Sequence, residues 1–217
     1  MDREVSADRQ LIATGTALCA EAIAGLDDDA LAGPSLLPGW TRKHVMAHLA
    51  AHAEALGRLL HWAKTGERTP MYASTEQRNA DIEAGATRPG TALAQWFHAS
   101  AQALDDALDT MTEAAWSAEV LNAQGRAVRA TEVPWMRSRE VLIHAVDLGT
   151  GITFAQLPPP FLEALTAEIS SRRAGAGEHV SDLRGSLPDL AAYLAGRGTA
   201  GVTTADGSPA PAPPAWL

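Results

Sequence analysis

In the stretch EVLIHAV, residues 140–146, every side chain is apolar except Glu140 and His144. Few folds accommodate such a segment. It suits a helix, on which residues four apart share one face. A carboxylate and an imidazole on one face of so apolar a helix need a buried partner, because an unpaired polar group in a core costs free energy. The stretch asks for a fold that encloses a polar site between helices.

The rest of the chain supplies those helices. Alanine and leucine are abundant and β-branched runs are scarce, so helix dominates. A first helix is expected over about 6–26, with Ser6 as N-cap. A second starts at Thr41, stapled by Trp40, and stops at Gly66. A short helix capped by Ser74 or Thr75 ends at Gly85, and a third long helix spans about 91–110. EVLNAQGRAVRA reads as a small hairpin turning near Ala123–Gly125. A fourth long helix begins at Pro134, a residue suited to the first helical position, and stops near Gly149 or Gly151. LPPPF then marks a boundary, followed by helices over about 159–173 and 187–195 with the glycine-rich AGAGEHVSD between them. The closing TTADGSPAPAPPAWL is too proline-rich for helix. The expected fold is mainly α: a four-helix bundle over residues 1–155 and a small C-terminal α/β extension over 156–217.

Glu140 and His144 at i and i+4 can chelate one ion. One histidine from another helix would complete a His₂–carboxylate set that leaves positions open, as catalytic metal sites do. The second helix offers His44, His48 and His52, a stripe that drifts about 40° per step. In an up-down-up-down bundle the two helices would run parallel. Glu140 and His144 then lie roughly 9 and 15 Å from Pro134, and His44, His48 and His52 at about 4.5, 10.5 and 16.5 Å from Thr41. His48 falls between the clip residues; His52 is the second choice and His44 is too shallow.

Composition narrows the partners. The 217 residues carry a formal charge of -9 and have no basic run, which argues against nucleic acid. Apolar stretches fall far short of a membrane span, and the charged N-terminus lacks a signal core, so a cytoplasmic protein is expected, as a monomer or weak dimer. The single cysteine, Cys19, excludes an internal disulfide and lies in the apolar TALCAEAI, a setting for a buried, inert thiol. Trp40 and Trp135, each at the start of a ligand-bearing helix, read as packing anchors.

LLPGWTRKHVMAHLAAHAEAL and VPWMRSREVLIHAVDLG resemble the two metal-site motifs of mycothiol-dependent maleylpyruvate isomerases, which belong to the DinB-like superfamily of metal-binding four-helix bundles. The motifs alone are shared by many thiol-dependent relatives. TPMYAS, RNADIEAGA and the tail TADGSPAPAPPAWL point to the isomerase itself. The resemblance places metal ligands on His48, Glu140 and His144, and an arginine of the C-terminal domain on Arg197. The region between about 173 and 187 looks shorter than the family pattern, which suggests a reduced C-terminal domain.

The resemblance implies a cis–trans isomerisation of maleylpyruvate to fumarylpyruvate through addition and loss of an external thiol, mycothiol. Zinc is the default ion, being redox-inert and at ease with nitrogen and oxygen ligands, and the mycothiol sulfur is expected on it. The substrate is a dianion, so a cationic clamp is expected. Arg197 and Arg78 lead the candidates, followed by Arg137 and Arg139, one of which should only cover surface. The C-terminal segment is expected to dock on the bundle and close the metal site. Competing readings are a mycothiol S-transferase acting on another electrophile and a non-catalytic metal-binding sensor.

Overall fold

The computed structural model describes residues 4–175 and 183–212 and divides the chain into two compact units between Gly151 and Ile152. It is mostly helical, with two short two-stranded sheets among the described residues. Residues 176–182 of the glycine-rich stretch and 213–217 of the tail lie outside the described residues. No described helix is long and apolar enough to cross a membrane.

In the first unit α1 is Val5–Ile23, α2 Asp28–Ala32, α3 Arg42–Thr65, α4 Thr75–Ala86, α5 Gly90–Asp109, α6 Glu113–Ser117 and α7 Val133–Asp147. Strands β1 (Glu119–Leu121) and β2 (Ala127–Arg129) form the antiparallel hairpin, with Val120 opposite Val128. The caps explain most of these bounds. Thr41 accepts from the His44 amide while the His44 ring takes the Thr41 amide, a reciprocal capping box. Gly66, at φ 75°, ends α3 in the left-handed conformation that favours glycine. Ser74 caps α4. Ser6 is not a cap: α1 starts one residue earlier, after Glu4, and the Ser6 hydroxyl donates to the Glu4 carboxylate.

The four long helices α1, α3, α5 and α7 form the bundle, but not with the expected directions. At the N-terminus of α3, Arg42 Nε donates 2.9 Å to the carbonyl of Leu148, just beyond the end of α7. Near the other end of α3, Leu56, Leu59 and Leu60 share a core with Val133, where α7 begins. These two helices are therefore antiparallel. Helices α3 and α5 run parallel, since Trp96 bonds Glu54 near their middles and Lys64 bonds Thr110 at their C-terminal ends. Arg9, near the start of α1, pairs with Asp105 and Asp109 at the end of α5, so α1 opposes α5 and the order is up-down-down-up. Residues 66–89, which carry α4, return the chain to the level at which α3 began, so α5 can repeat its direction.

Helix α1 packs on α7. Gly15 makes this possible: a Cβ there would overlap the Val141 side chain and lie 3.0 Å from Leu142 Cγ. Gly15→Val is expected to destabilise the protein by about 1–3 kcal/mol through overpacking. The measurement is the urea midpoint, which should fall with an unchanged slope.

In the second unit α8 (Pro159–Gly175) packs against α9 (Leu187–Leu194), and β3 (Leu183–Arg184) pairs with β4 (Thr203–Thr204). Ser186 caps α9 by accepting from the Asp189 amide. Phe161, Leu165 and Ile169 give α8 a buried stripe at helical spacing.

Candidate metal centre

Three of the residues singled out from the sequence converge in the first unit. Ligating atoms of His48, Glu140 and His144 lie within 4.8 Å of one another. Glu140 Oε2 is 2.7 Å from His48 Nε2 and 3.3 Å from His144 Nε2. These spacings approach those of ligand atoms around a single ion with bonds of about 2.0–2.2 Å. His48 and His144 are buried, and the Glu140 side chain keeps 14% exposure. Two imidazoles and a carboxylate suit a divalent ion such as zinc and leave positions open.

Directions of proton donation follow from the partners. Arg78 Nη2 lies 3.3 Å from His48 Nδ1, and a guanidinium can only donate. His48 Nδ1 therefore accepts, and its Nε2 carries the proton toward Glu140. Burial lowers the His48 pKa, against the Glu140 contact that raises it, so this ring is neutral. His144 differs. Its Nδ1 is 2.8 Å from the Asp147 carboxylate, which is fully buried, and its Nε2 faces Glu140. Burial alone would depress its pKa, but these two acids overcome it and push it up to about 9. Burial alone would raise Glu140, and its histidine neighbours instead hold it well below the usual carboxylate range.

The remaining candidates sort themselves. His44 lies outside the trio, bonded through Nε2 to Glu83 at 3.2 Å. His52 is buried one turn beyond His48, with ring centroids 5.8 Å apart, and is not in the ligand set. Arg78 is half-buried over the Tyr72 ring, 5.8 Å from its centroid. The TPMYAS segment is tied to α3 by Arg58, whose Nε donates 3.0 Å to the Met71 carbonyl, and it leads into α4, which carries Arg78 to His48. Arg137 is not an accessible clamp. It is fully buried, because α7 is enclosed on nearly every face, and its Nη1 donates 2.7 Å to the Leu49 carbonyl. Arg139 is half-buried on the same helix. Arg197 belongs to the second unit, where its Nη1 donates 2.7 Å to the Ala195 carbonyl.

Trp135 is buried as a packing residue, whereas half-buried Trp40 also lies against the site, its ring centroid 5.7 Å from that of His48. Cys19 is fully buried, its thiol donating to the Val141 carbonyl, and burial pushes its pKa up to about 12. It is a packed thiol and not a nucleophile at neutral pH. Asp147 and Tyr72 were not singled out from the sequence. Asp147 could have been, since it stands at i+3 from His144 and can reach its ring; Tyr72 carries no such local signal.

The family model for the mycothiol maleylpyruvate isomerase N-terminal domain matches residues 12–149. The crystal structure of the mycothiol-dependent maleylpyruvate isomerase superposes with a TM-score of 0.93 and 41% sequence identity, over 99% of this chain and 98% of that one. The crystal structure of a histidine-to-alanine mutant of the mycothiol-dependent maleylpyruvate isomerase matches at TM-score 0.92, with the same identity and coverage. No curated protein sequence matches. The chain belongs to the mycothiol maleylpyruvate isomerase family.

Proposed function

We infer that the protein isomerises maleylpyruvate to fumarylpyruvate with mycothiol as cofactor, and that His48, Glu140 and His144 hold a divalent ion, zinc by default. The observation that carries this reading is the 41% identity over 99% of the chain to a mycothiol-dependent maleylpyruvate isomerase, in a chain whose His48, Glu140 and His144 converge.

Rotation about the cis double bond of maleylpyruvate requires that bond to become single for a time. A thiolate sulfur adds to one alkene carbon, and the π electrons move through the conjugated carbonyl onto its oxygen as an enolate. The carbon–carbon bond turns. The enolate collapses, the carbon–sulfur bond breaks, and the thiolate leaves unchanged with the trans alkene in place. A free thiol of pKa about 8.5 is only a few per cent ionised at pH 7. An ion on the three ligands supplies the charge that keeps a thiol ionised near neutral pH.

The chain's own residues do the rest. Asp147 holds the His144 ring in orientation through Nδ1. His48 would hold the ion through its Nε2 lone pair, and its proton would then sit on Nδ1, making that nitrogen a donor. Arg78 then needs another acceptor, and a substrate carboxylate is suited to it. Arg197 is the second proposed clamp, for a carboxylate or the enolate oxygen. Arg197→Ala is expected to lower turnover by roughly one to two powers of ten with unchanged metal content, the loss typical of one charge-assisted contact of about 1.5–3 kcal/mol.

The reading is tested by incubating metal-loaded protein with maleylpyruvate, with and without mycothiol, and following fumarylpyruvate. Thiol-dependent product supports it. An accumulating thiol adduct points to an S-transferase, and no turnover of any electrophile to a binding protein. Cys19→Ser is expected to keep thiol-dependent activity; complete loss in a folded variant would contradict an external nucleophile.

A further inference from the structure

His52 is a buried imidazole that the metal trio does not use. It is 6% exposed, and its Nδ1 is enclosed with no hydrogen-bond partner. Its ring centroid lies 5.8 Å from that of His48, one turn back on α3, and Glu140, His144 and Arg137 are near enough to act on it electrostatically. A buried polar atom without a partner is costly and is uncommon in native proteins. A leucine or phenylalanine at this position of α3 would avoid that cost, as Leu49, Leu56 and Leu59 do nearby.

The ring's chemistry fixes what it can offer. A neutral imidazole has one donor nitrogen and one acceptor nitrogen. An enclosed N–H without an acceptor is the rarer defect, so the orphaned Nδ1 holds the lone pair and Nε2 holds the proton. Nε2 is not among the enclosed unpartnered atoms, and no hydrogen bond to it occurs among the described residues. Ligating atoms of the trio do not extend to His52, so it is not a fourth ligand. What remains is a fixed, uncharged N–H donor one helical turn from a metal ligand, aimed at no protein acceptor.

We propose that His52 is a further residue of the active site, whose Nε2–H donates a hydrogen bond to an anionic atom of the reaction beside the metal trio: the sulfur of the thiolate or the oxygen that becomes the enolate. This rests on the isomerase reading above. The bond would be charge-assisted on the acceptor side, and stronger for the enolate than for the ketone it comes from. An uncharged donor serves here because a cation at this place would compete with the metal.

The test compares His52→Leu, which removes the donor, with His52→Gln, whose amide nitrogen can stand in for Nε2. Both are loaded with cobalt in place of zinc and checked for metal content and thermal midpoint. Both should hold one ion per chain. Because His52→Leu removes an orphaned polar atom, its midpoint should stay level or rise. Its kcat/KM for isomerisation should nevertheless fall about 10- to 100-fold, with much of the loss restored in His52→Gln.

Two further readouts separate the acceptors. Weaker mycothiol binding in His52→Leu, seen in the thiolate-to-cobalt absorption band, assigns the bond to sulfur. Unchanged mycothiol binding with a lower kcat assigns it to the enolate oxygen. Wild-type kcat, KM and mycothiol binding in His52→Leu would overturn the proposal, as would His52→Gln falling as far as His52→Leu. A lost ion in His52→Leu would also overturn it, since His52 would then serve the ligand set. A wild-type protein without thiol-dependent isomerisation would remove the functional reading itself, and the His52 assignment with it.

Discussion

His48→Ala is expected to leave a folded protein that holds almost no metal. Among the described residues three side chains converge on the candidate site, and the ion would lose one of these three anchors. Metal content should drop from about one ion per chain to less than about a tenth after dialysis, and thiol-dependent isomerisation should fall at least about a thousand-fold. The fold should survive, because the α3 core around Leu49, Leu56 and Leu59 is untouched by the change. His44→Ala is the matching control. Its ring bonds Glu83 and Thr41 rather than the trio, so metal should be retained. Full occupancy in folded His48→Ala, measured by elemental analysis, would sink the ligand assignment.

Asp147→Asn should weaken the metal in a manner that depends on pH. The carboxylate orients the His144 ring and raises its basicity, and losing such a partner typically costs about 10- to 100-fold in metal affinity. Before the metal enters, the same contact keeps a proton on His144, whose pKa is raised from 6.5 to about 9. Below about 9 the ion must expel that proton, so wild-type affinity falls as pH falls and roughly one proton should appear in solution per ion bound at neutral pH. In Asp147→Asn the proton is held less tightly. The affinity gap should be widest above pH 9 and narrow toward pH 7, with fewer protons released.

The metal-free protein carries the linked sign. A pKa raised on folding contributes stability that is present below about 6.5 and is lost as pH rises through about 9. Asp147→Asn should move that loss to lower pH. A gap that does not change with pH would show that the buried acid only packs against the ring.

The convergence of Glu140 and His144 with a third polar side chain was legible because their surroundings are so apolar. In EVLIHAV nothing but Glu140 and His144 could face a polar partner. Helix ends were legible at Thr41, Gly66 and Ser74, where capping chemistry is local. Helix direction was not, because it is set by the length and path of residues 66–89 rather than by any local pattern. Parallel helices were expected, yet His48 is level with Glu140 in the antiparallel pair as well. The reason is geometric: Glu140 is the midpoint of Val133–Asp147, so its depth is the same from either end. Arg137 misled for a related reason. A first-turn arginine usually reaches solvent, but α7 is covered on nearly all sides, and burial depends on neighbours that the segment does not encode.

The pairing of α1 with α7 has a consequence for synthesis. Gly15 and Cys19 face Val141, a residue made more than a hundred positions later. At about 5–20 residues per second, α1 leaves the ribosome roughly 6–25 s before its mate exists. Meanwhile α3 and α5 can pair, since both are complete by Asp109. A translational pause before residue 147 would therefore leave α1 without the face of α7 that Gly15 and Cys19 meet, held by contacts such as Arg9 with Asp105 and Asp109 of α5, and the first unit can close only when its last helix emerges.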